Sequence, residues 1–361
     1  MFLYELELQS FRCFNQKKLT FTKPITFVIG TNGIGKTSVL EAIHYLCYFK
    51  SFRSHIISDV IQSGSESFFL KGVFDRTYDF EKAGHIIQVG YSGQKKSIKL
   101  DQKNVTSYKQ IMTFFQVITL TEDDIDLIKG YPAQRRAFID QAVLLSDYTA
   151  FDLYTSLRKV LAHRNSLLAH GRNIDLIELE IWTQSLWKIT VNIQKLRVEA
   201  LSRVVTSVNK LLSEYFDGIY EVNILYEYKY TNSNQSYEDF SRKMSHLIDQ
   251  ELVMKRSLFG AHLDDLKFQI RGKRAKIFAS RGQQKLISLL CKLSLATLRV
   301  NEQDFPIILI DDFISDFDKI RLKQLATFFQ KCQNQIIMTA PFCDLELRGM
   351  FNDVDLELIT L

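Results

Sequence analysis

The stretch Ile25–Leu46, ITFVIGTNGIGKTSVLEAIHYL, decides how the rest of the chain is read. A β-branched run, Ile25 to Ile29, meets Gly30, Thr31, Asn32, Gly33, Ile34, Gly35, Lys36 and Thr37, and an amphipathic helical segment opening with Ser38 follows. Strand, G-x-x-x-x-G-K-T, helix is the context in which the P-loop motif carries weight. The chemistry asks for these residue types. Glycines let backbone N–H groups approach phosphate oxygens, Lys36 brings a cation to the β and γ phosphates, and the Thr37 hydroxyl can ligate Mg²⁺. A plain glycine turn between strand and helix does not account for the matching flanks.

A partner motif lies near the other end. In FPIILIDDFISDFD, Phe305–Asp318, the run Ile307 to Ile310 predicts a buried strand, and Asp311 and Asp312 emerge at its carboxyl end. Asp311 is placed to hold Mg²⁺ as a Walker B acid, and Asp312 to orient or deprotonate an attacking water. Alone, the motif would read as a strand ending in solvated carboxylates; beside a P-loop the catalytic reading prevails. Roughly 270 residues divide the two motifs, too many for neighbouring strands joined by short connections. Something is inserted between them.

The 361 residues can bury a large core, and 46% hydrophobic with 24% charged residues is ordinary for a globular protein. No apolar run reaches the roughly 18 residues of a membrane span. The opening MFLYELELQSFRCF alternates like a strand and lacks a leader pattern, so a cytoplasmic protein without a membrane role is expected. Cys13, Cys47, Cys291, Cys332 and Cys343 form no CxxC pair, which argues against a zinc site or a disulfide framework. With 46 Lys and Arg against 41 Asp and Glu, the net charge of +5 permits nucleic-acid binding without demanding it.

The inserted region reads as mostly helical. Leu153, Leu157, Leu161 and Leu168 recur at helical spacing, HGRN at 170–173 signals a turn, and Trp182, Leu186, Ile189, Ile193, Leu196 and Ala200 alternate by fours and threes. An antiparallel helical hairpin and a plain core helix both fit. SFFLKGVFD, HIIQVGYSG, KSIKL, YEVNILYEYKY and LKFQIRGKRAKIF read as shorter β segments. The expected fold class is α/β: one nucleotide-binding lobe built from residues 1–120 and 296–361, and an inserted, mostly helical second lobe over 121–295.

SRGQQKLISLLCKLSLATL, Ser280–Leu298, lies just before the acidic strand. Ser280 is an ordinary N-cap, or the first-turn N–H groups face an anion. A polar Ser-x-Gly-Gln loop in this position resembles the signature motif of ABC-type ATPases, which closes on the γ-phosphate held by another subunit. The whole chain resembles the RecF family, bacterial recombination-mediator ATPases of the ABC superfamily. The resemblance runs through SFRCF, GTNGIGKTSVLEAI, KSFRS, LIKGYPAQRRAFID, HRNSLL, GAHLDD, SRGQQK and IDDFISDFD, in the family's order.

The resemblance implies an ABC-type P-loop ATPase head that binds ATP and Mg²⁺, forms an ATP-dependent homodimer, hydrolyses slowly with stimulation by DNA, and acts in DNA replication and repair. It implies as partners duplex, single-stranded and gapped DNA and the RecR and RecO mediator proteins. By the same resemblance Ser280, Gly282 and Gln283 complete a partner's site, Ser315 and Asp318 form the loop after Walker B, Gln116 is the Q-loop glutamine, and Thr339 stands where transporter ATPases carry a switch histidine. Arg281, Lys285, Ala261 and Leu263 depart from the usual pattern. A chromosome-organising ABC-type ATPase is the alternative, but it calls for much longer coiled-coil arms.

Several residues stay open between two roles. His262 is a sensor or a packed histidine; Arg135 and Arg136 touch DNA or a partner, or form salt bridges. The basic RGKRAK, Arg271–Lys276, contacts phosphate or is a solvated turn. Arg12 and Arg53 line the nucleotide pocket or cap a strand end.

Overall fold

The computed structural model describes residues 1–75, 84–93, 95–171, 174–216, 221–232, 234–244, 246–298, 305–312, 317–341 and 355–361. Ser315, Arg172, Asn173 and Cys343 lie outside the described residues. The chain divides into two compact units. One comprises Met1–Asp124, Ser213–Asp217 and Arg299–Leu361; the other comprises Ile125–Leu212 and Gly218–Leu298.

The first unit contains β1 (Phe2–Phe11), β2 (Phe14–Thr20), β3 (Ile25–Gly30), β4 (Phe68–Asp75), β5 (His85–Ser92), β6 (Lys95–Leu100), β7 (Lys103–Asn104) and β8 (Val117–Leu120). In the second unit are β9 (Val222–Glu227), β10 (Asp265–Ile270) and β11 (Lys273–Arg274); β12 (Ile307–Ile310), β13 (Ile336–Pro341) and β14 (Leu356–Thr360) return to the first. Strands β14-β3-β13-β12-β8 form a five-stranded sheet whose pairings are all parallel. Their sequences, ITFVI, IILI and VITL among them, are continuous apolar runs, as expected of strands covered on both faces. Because the strands are parallel, the loops that follow β3, β8 and β12 all leave from one edge of the sheet. That edge is where open α/β sheets bind ligands.

Strands β2-β1-β4-β5-β6-β7 form an antiparallel sheet, and β4 alternates between more and less buried positions. The helix Lys36–Tyr48 packs against strands of both sheets, and Ser38 to Cys47 are all buried. A helix covered all round takes apolar residues on every side. Its core includes Leu6, Leu40, Ile43, Leu46, Leu309 and Ile337 in one cluster, so the helix carrying the P-loop is fixed from both sides.

In the second unit, helices Ala150–Ala169 and Leu176–Tyr215 share a core containing Leu157, Leu186, Ile193 and Phe259. Arg164 bonds Thr183 at 3.0 Å and His163 stacks on Trp182, which joins the two helices across their short connection as a helical hairpin. The strands β11-β10-β9 form a small antiparallel sheet. The β reading of LKFQIRGKRAKIF holds through Arg274; Ala275–Phe278 is a helical turn instead. Between β10 and β11, Arg271 and Gly272 take φ of 49° and 73°, the left-handed pair that a two-residue hairpin turn needs.

Candidate functional site

The P-loop leaves the carboxyl end of β3 and closes into helix Lys36–Tyr48. Gly33 and Gly35 take φ of 85° and 113°. A Cβ at Gly35 would also lie 2.6 Å from Cys13 Sγ and from the Phe14 ring, so only glycine fits there. Lys36 Nζ donates to the Gly30 carbonyl at 2.9 Å and the Thr31 carbonyl at 3.1 Å, folding the cation back over the loop. Asn32, Gly33, Gly35, Lys36, Thr37 and Ser38 line a cavity of about 610 Å³. That volume suits a small-molecule ligand. Ile34 is 40% exposed, and its carbonyl faces the Cys13 thiol at 3.6 Å.

Asp311 and Asp312 follow β12 into the same cavity, with Thr339 from the neighbouring β13. Thr37 Oγ1 donates to Asp311 Oδ1 at 2.9 Å, across 274 positions of chain, and Thr339 Oγ1 donates to the same oxygen at 3.0 Å. Thr339 Oγ1 in turn accepts the Asp312 N–H at 2.9 Å, and Asp312 sits in the left-handed region at φ 50°. Burial pushes the Asp311 carboxyl above its ordinary value, the neighbouring Asp312 adds to the rise, and the two hydroxyl donors oppose it. The donors gathered here are all carboxylate and hydroxyl oxygens, the set that suits a hard divalent cation.

Arg12 and Arg53 both line this cavity. They do so around Glu41, a helix residue with a fully buried side chain that the sequence reading did not single out. Arg12 Nε donates to Glu41 Oε2 at 2.7 Å, Arg53 Nη1 lies 3.7 Å from the same oxygen, and Ser51 also donates to the carboxylate. The signal was a lone acid inside the apolar run VLEAIHYL, one turn after Thr37 on the same helix face.

Gln116 does not reach this site. It precedes β8, and its carbonyl accepts the Ile307 N–H at the amino end of β12, whereas Asp311 leaves the carboxyl end. Four strand residues separate the two edges by about 13 Å. The carboxyl end of β8 is occupied instead by Thr121, Glu122 and Asp123, which share a wall of the site with Thr37, Arg53, Asp311 and Asp312.

Ser280, Gly282 and Gln283 belong to the second unit. Ser280 is the N-cap of helix Arg281–Ser294: its Oγ accepts the Gln283 N–H, and Gln283 Oε1 accepts the Ser280 N–H, a reciprocal capping box. Ser280, Arg281 and Gly282 are exposed. Arg135 and Arg136 are structural. Arg135 bonds both Asp265 carboxylate oxygens at 2.7 and 2.9 Å, and Arg136 donates to the Asp264 carbonyl. Burial holds the His262 imidazole down to about 4, so it is a packed, neutral histidine. The RGKRAK segment is an exposed hairpin turn. Asp318 caps helix Lys319–Lys331 by accepting the Arg321 N–H.

A parallel sheet ending in a P-loop and an acid pair, with an antiparallel sheet across the P-loop helix, defines an ABC-type P-loop ATPase head. The family model for the RecF/RecN/SMC N terminal domain matches residues 2–343. The "DNA replication and repair protein RecF" of Geotalea daltonii is 31% identical over 346 residues, covering 94% of this chain and 93% of that protein. The protein of the same name from Carboxydothermus hydrogenoformans is 31% identical over 343 residues, covering 94% of each chain. A solved structure of the recombination mediator protein RecF-ATP in the RecFOR pathway superposes with a TM-score of 0.82 at 26% identity, over 94% of this chain and 91% of that one. The Smc head of Pyrococcus furiosus shares the fold, with a TM-score of 0.56 at 15% identity over 98% of this chain and 91% of that one. The chain belongs to the RecF family.

Proposed function

We propose that the protein is an ATP-driven, DNA-binding recombination mediator in DNA replication and repair, with slow, DNA-stimulated hydrolysis. The observation that carries this reading is the bond between the Thr37 hydroxyl and Asp311, which joins the two ends of the chain in one pocket beside Lys36 and Asp312. Backbone N–H groups of Gly33 and Gly35 and the Lys36 ammonium bind the phosphates, while Thr37 and Asp311 are the ligands for Mg²⁺. Mg²⁺ supplies charge neutralisation at the transferring phosphoryl group. Asp312 orients the attacking water. Arg12 and Arg53, held by Glu41, put two guanidinium groups on the cavity wall. The RecF-ATP structure supports ATP as the nucleotide.

Ser280, Gly282 and Gln283 of a second copy close over the γ-phosphate, giving a symmetric homodimer with two sandwiched nucleotides. The helix N-terminus they open is suited to an anion. DNA is held through phosphates, whether duplex, single-stranded or gapped, and RecR and RecO are the protein partners, in keeping with the RecFOR pathway of the solved relative.

Sedimentation with and without ATP tests the composite site. ATP should convert monomer to dimer, and Ser280→Arg should abolish the conversion; a variant that still dimerises normally sinks this reading. Retention of duplex or gapped DNA should fall steeply with salt. No retention at low salt removes the DNA-binding part.

A further inference from the structure

Resting on the composite-site reading, we propose that the basic segment Lys273–Lys276 of one copy seats on the acidic loop Glu122–Asp123 of a second copy when ATP pairs them.

The segment leads directly into the Ser280 loop. Lys273, Arg274 and Lys276 are exposed, and none of the three has a carboxylate partner among the described residues. Ile277 and Phe278, in the turn just before Ser280, are 68% and 63% exposed, and Lys273 Nζ lies 5.2 Å from the Phe278 ring centre. The root of the hairpin is fixed. Asp265, the first residue of β10, is clamped by Arg135, and Asp264 accepts from Tyr226 at 2.6 Å and Gln194 at 2.9 Å. A rigid stem thus presents cations and apolar side chains together.

The complementary surface lies in the nucleotide unit. Glu122 and Asp123 are exposed, have no cation partner among the described residues, and share their wall with Asp311, Asp312 and Arg53. That wall already sets four carboxyls against one arginine, and a bound triphosphate adds further negative charge beside it. Lys36 and Arg12 lie on the phosphate side of the cavity, which leaves the Glu122–Asp123 loop to be matched from outside. Lys276 stands four residues before Ser280, within about 10 Å along the chain. A Ser280 loop that reaches the phosphates beside Thr37 brings Lys276 to within about 10 Å of the wall that Thr37 shares with Glu122 and Asp123. A DNA backbone would use the cations but leave Ile277 without an apolar partner, whereas the acidic wall also carries Phe52, so a second copy fits this strip better.

The test is charge reversal read by sedimentation equilibrium in ATP. Lys276→Glu and Asp123→Lys should each weaken dimerisation by about tenfold or more, the cost of like charges at a close interface. Combined, they should restore it to near the wild-type value, and Arg274→Glu with Glu122→Arg should behave the same way. A wild type that fails to dimerise in ATP overturns the composite site and this contact with it. If the wild type dimerises but neither pair shows single losses and mutual rescue, the composite site stands and this contact falls. Single reversals that dimerise normally but lose duplex retention make the strip a nucleic-acid surface, which also overturns it.

Discussion

Thr339 bridges the two acids, and replacing it with valine removes one atom of function while keeping the shape. Thr339 is 2% exposed, so the valine side chain fills the same buried place. Two groups lose a partner together: the Asp312 N–H, and Asp311 Oδ1, which keeps the Thr37 hydroxyl as donor. Losing a hydrogen bond of this part-buried kind costs about 1 kcal/mol. Asp312 is also held at φ 50°, a conformation that costs a non-glycine residue about 1–2 kcal/mol and relaxes once its anchor is gone. Because relief of that strain offsets the lost bond, Thr339→Val should lower unfolding stability by no more than about 1 kcal/mol. Its larger effect falls on the acids. A donor to a charged group contributes about 1.5–3 kcal/mol, so losing one while Asp312 swings away should weaken Mg²⁺-dependent ATP binding or single-turnover hydrolysis by roughly 10- to 100-fold. Titration of Mg²⁺ at fixed nucleotide, followed by single-turnover hydrolysis, reads both effects. Thr339→Ser keeps the hydroxyl and should recover most of the loss. A valine variant that binds and hydrolyses within twofold of wild type refutes the role given to this bridge.

Two further outcomes follow from buried groups of the second unit. His262, held down to about 4 against an ordinary value of 6.5, binds its proton more readily in the unfolded chain between those limits. Its contribution is complete above pH 6.5 and is lost as pH falls toward 4, by roughly 3 kcal/mol at most, so His262→Gln should flatten the decline of unfolding free energy measured between pH 7 and 4. Arg164 is buried with Glu251, which accepts from its Nη1 at 3.0 Å, while Ser257 accepts at 2.8 Å. Arg164→Met strands that carboxylate and should cost about 3–5 kcal/mol in denaturant unfolding, whereas adding Glu251→Leu should recover much of it; equal losses in both variants would refute the pairing account.

The parts of the site legible in the sequence were those written as contiguous chain. The P-loop announces itself through strand, glycines, Lys36 and Thr37, and the acid pair through four apolar residues before two aspartates. Glu41, Arg12 and Arg53 were not legible as a unit, because a buried acid is recognised only when its cations are seen, and Arg12 stands 29 positions away. Gln116 was misplaced for a different reason. A resemblance located the strand but not which of its ends faces the ligand; the parallel register with β12 settles that, and puts Thr121 rather than Gln116 at the nucleotide edge.

The segments QRRAFID and GAHLDD carry part of the family resemblance, and in the second unit their charged side chains are engaged structurally. Arg135 pairs with Asp265 and Arg136 with the Asp264 carbonyl, while Asp140 takes Arg197 through both carboxylate oxygens at 2.8 and 3.1 Å. Charges so deeply engaged are poorly placed to contact DNA, since releasing Arg135 or Arg197 would leave a carboxylate without its partner. What they determine is where β10 begins, and from β10 the chain runs through one tight turn and one helical turn to Ser280. These pairs fix the start of the 16-residue path that runs from Asp265 to the Ser280 loop. Charge-to-neutral changes there should loosen the loop before they alter any group that touches a phosphate.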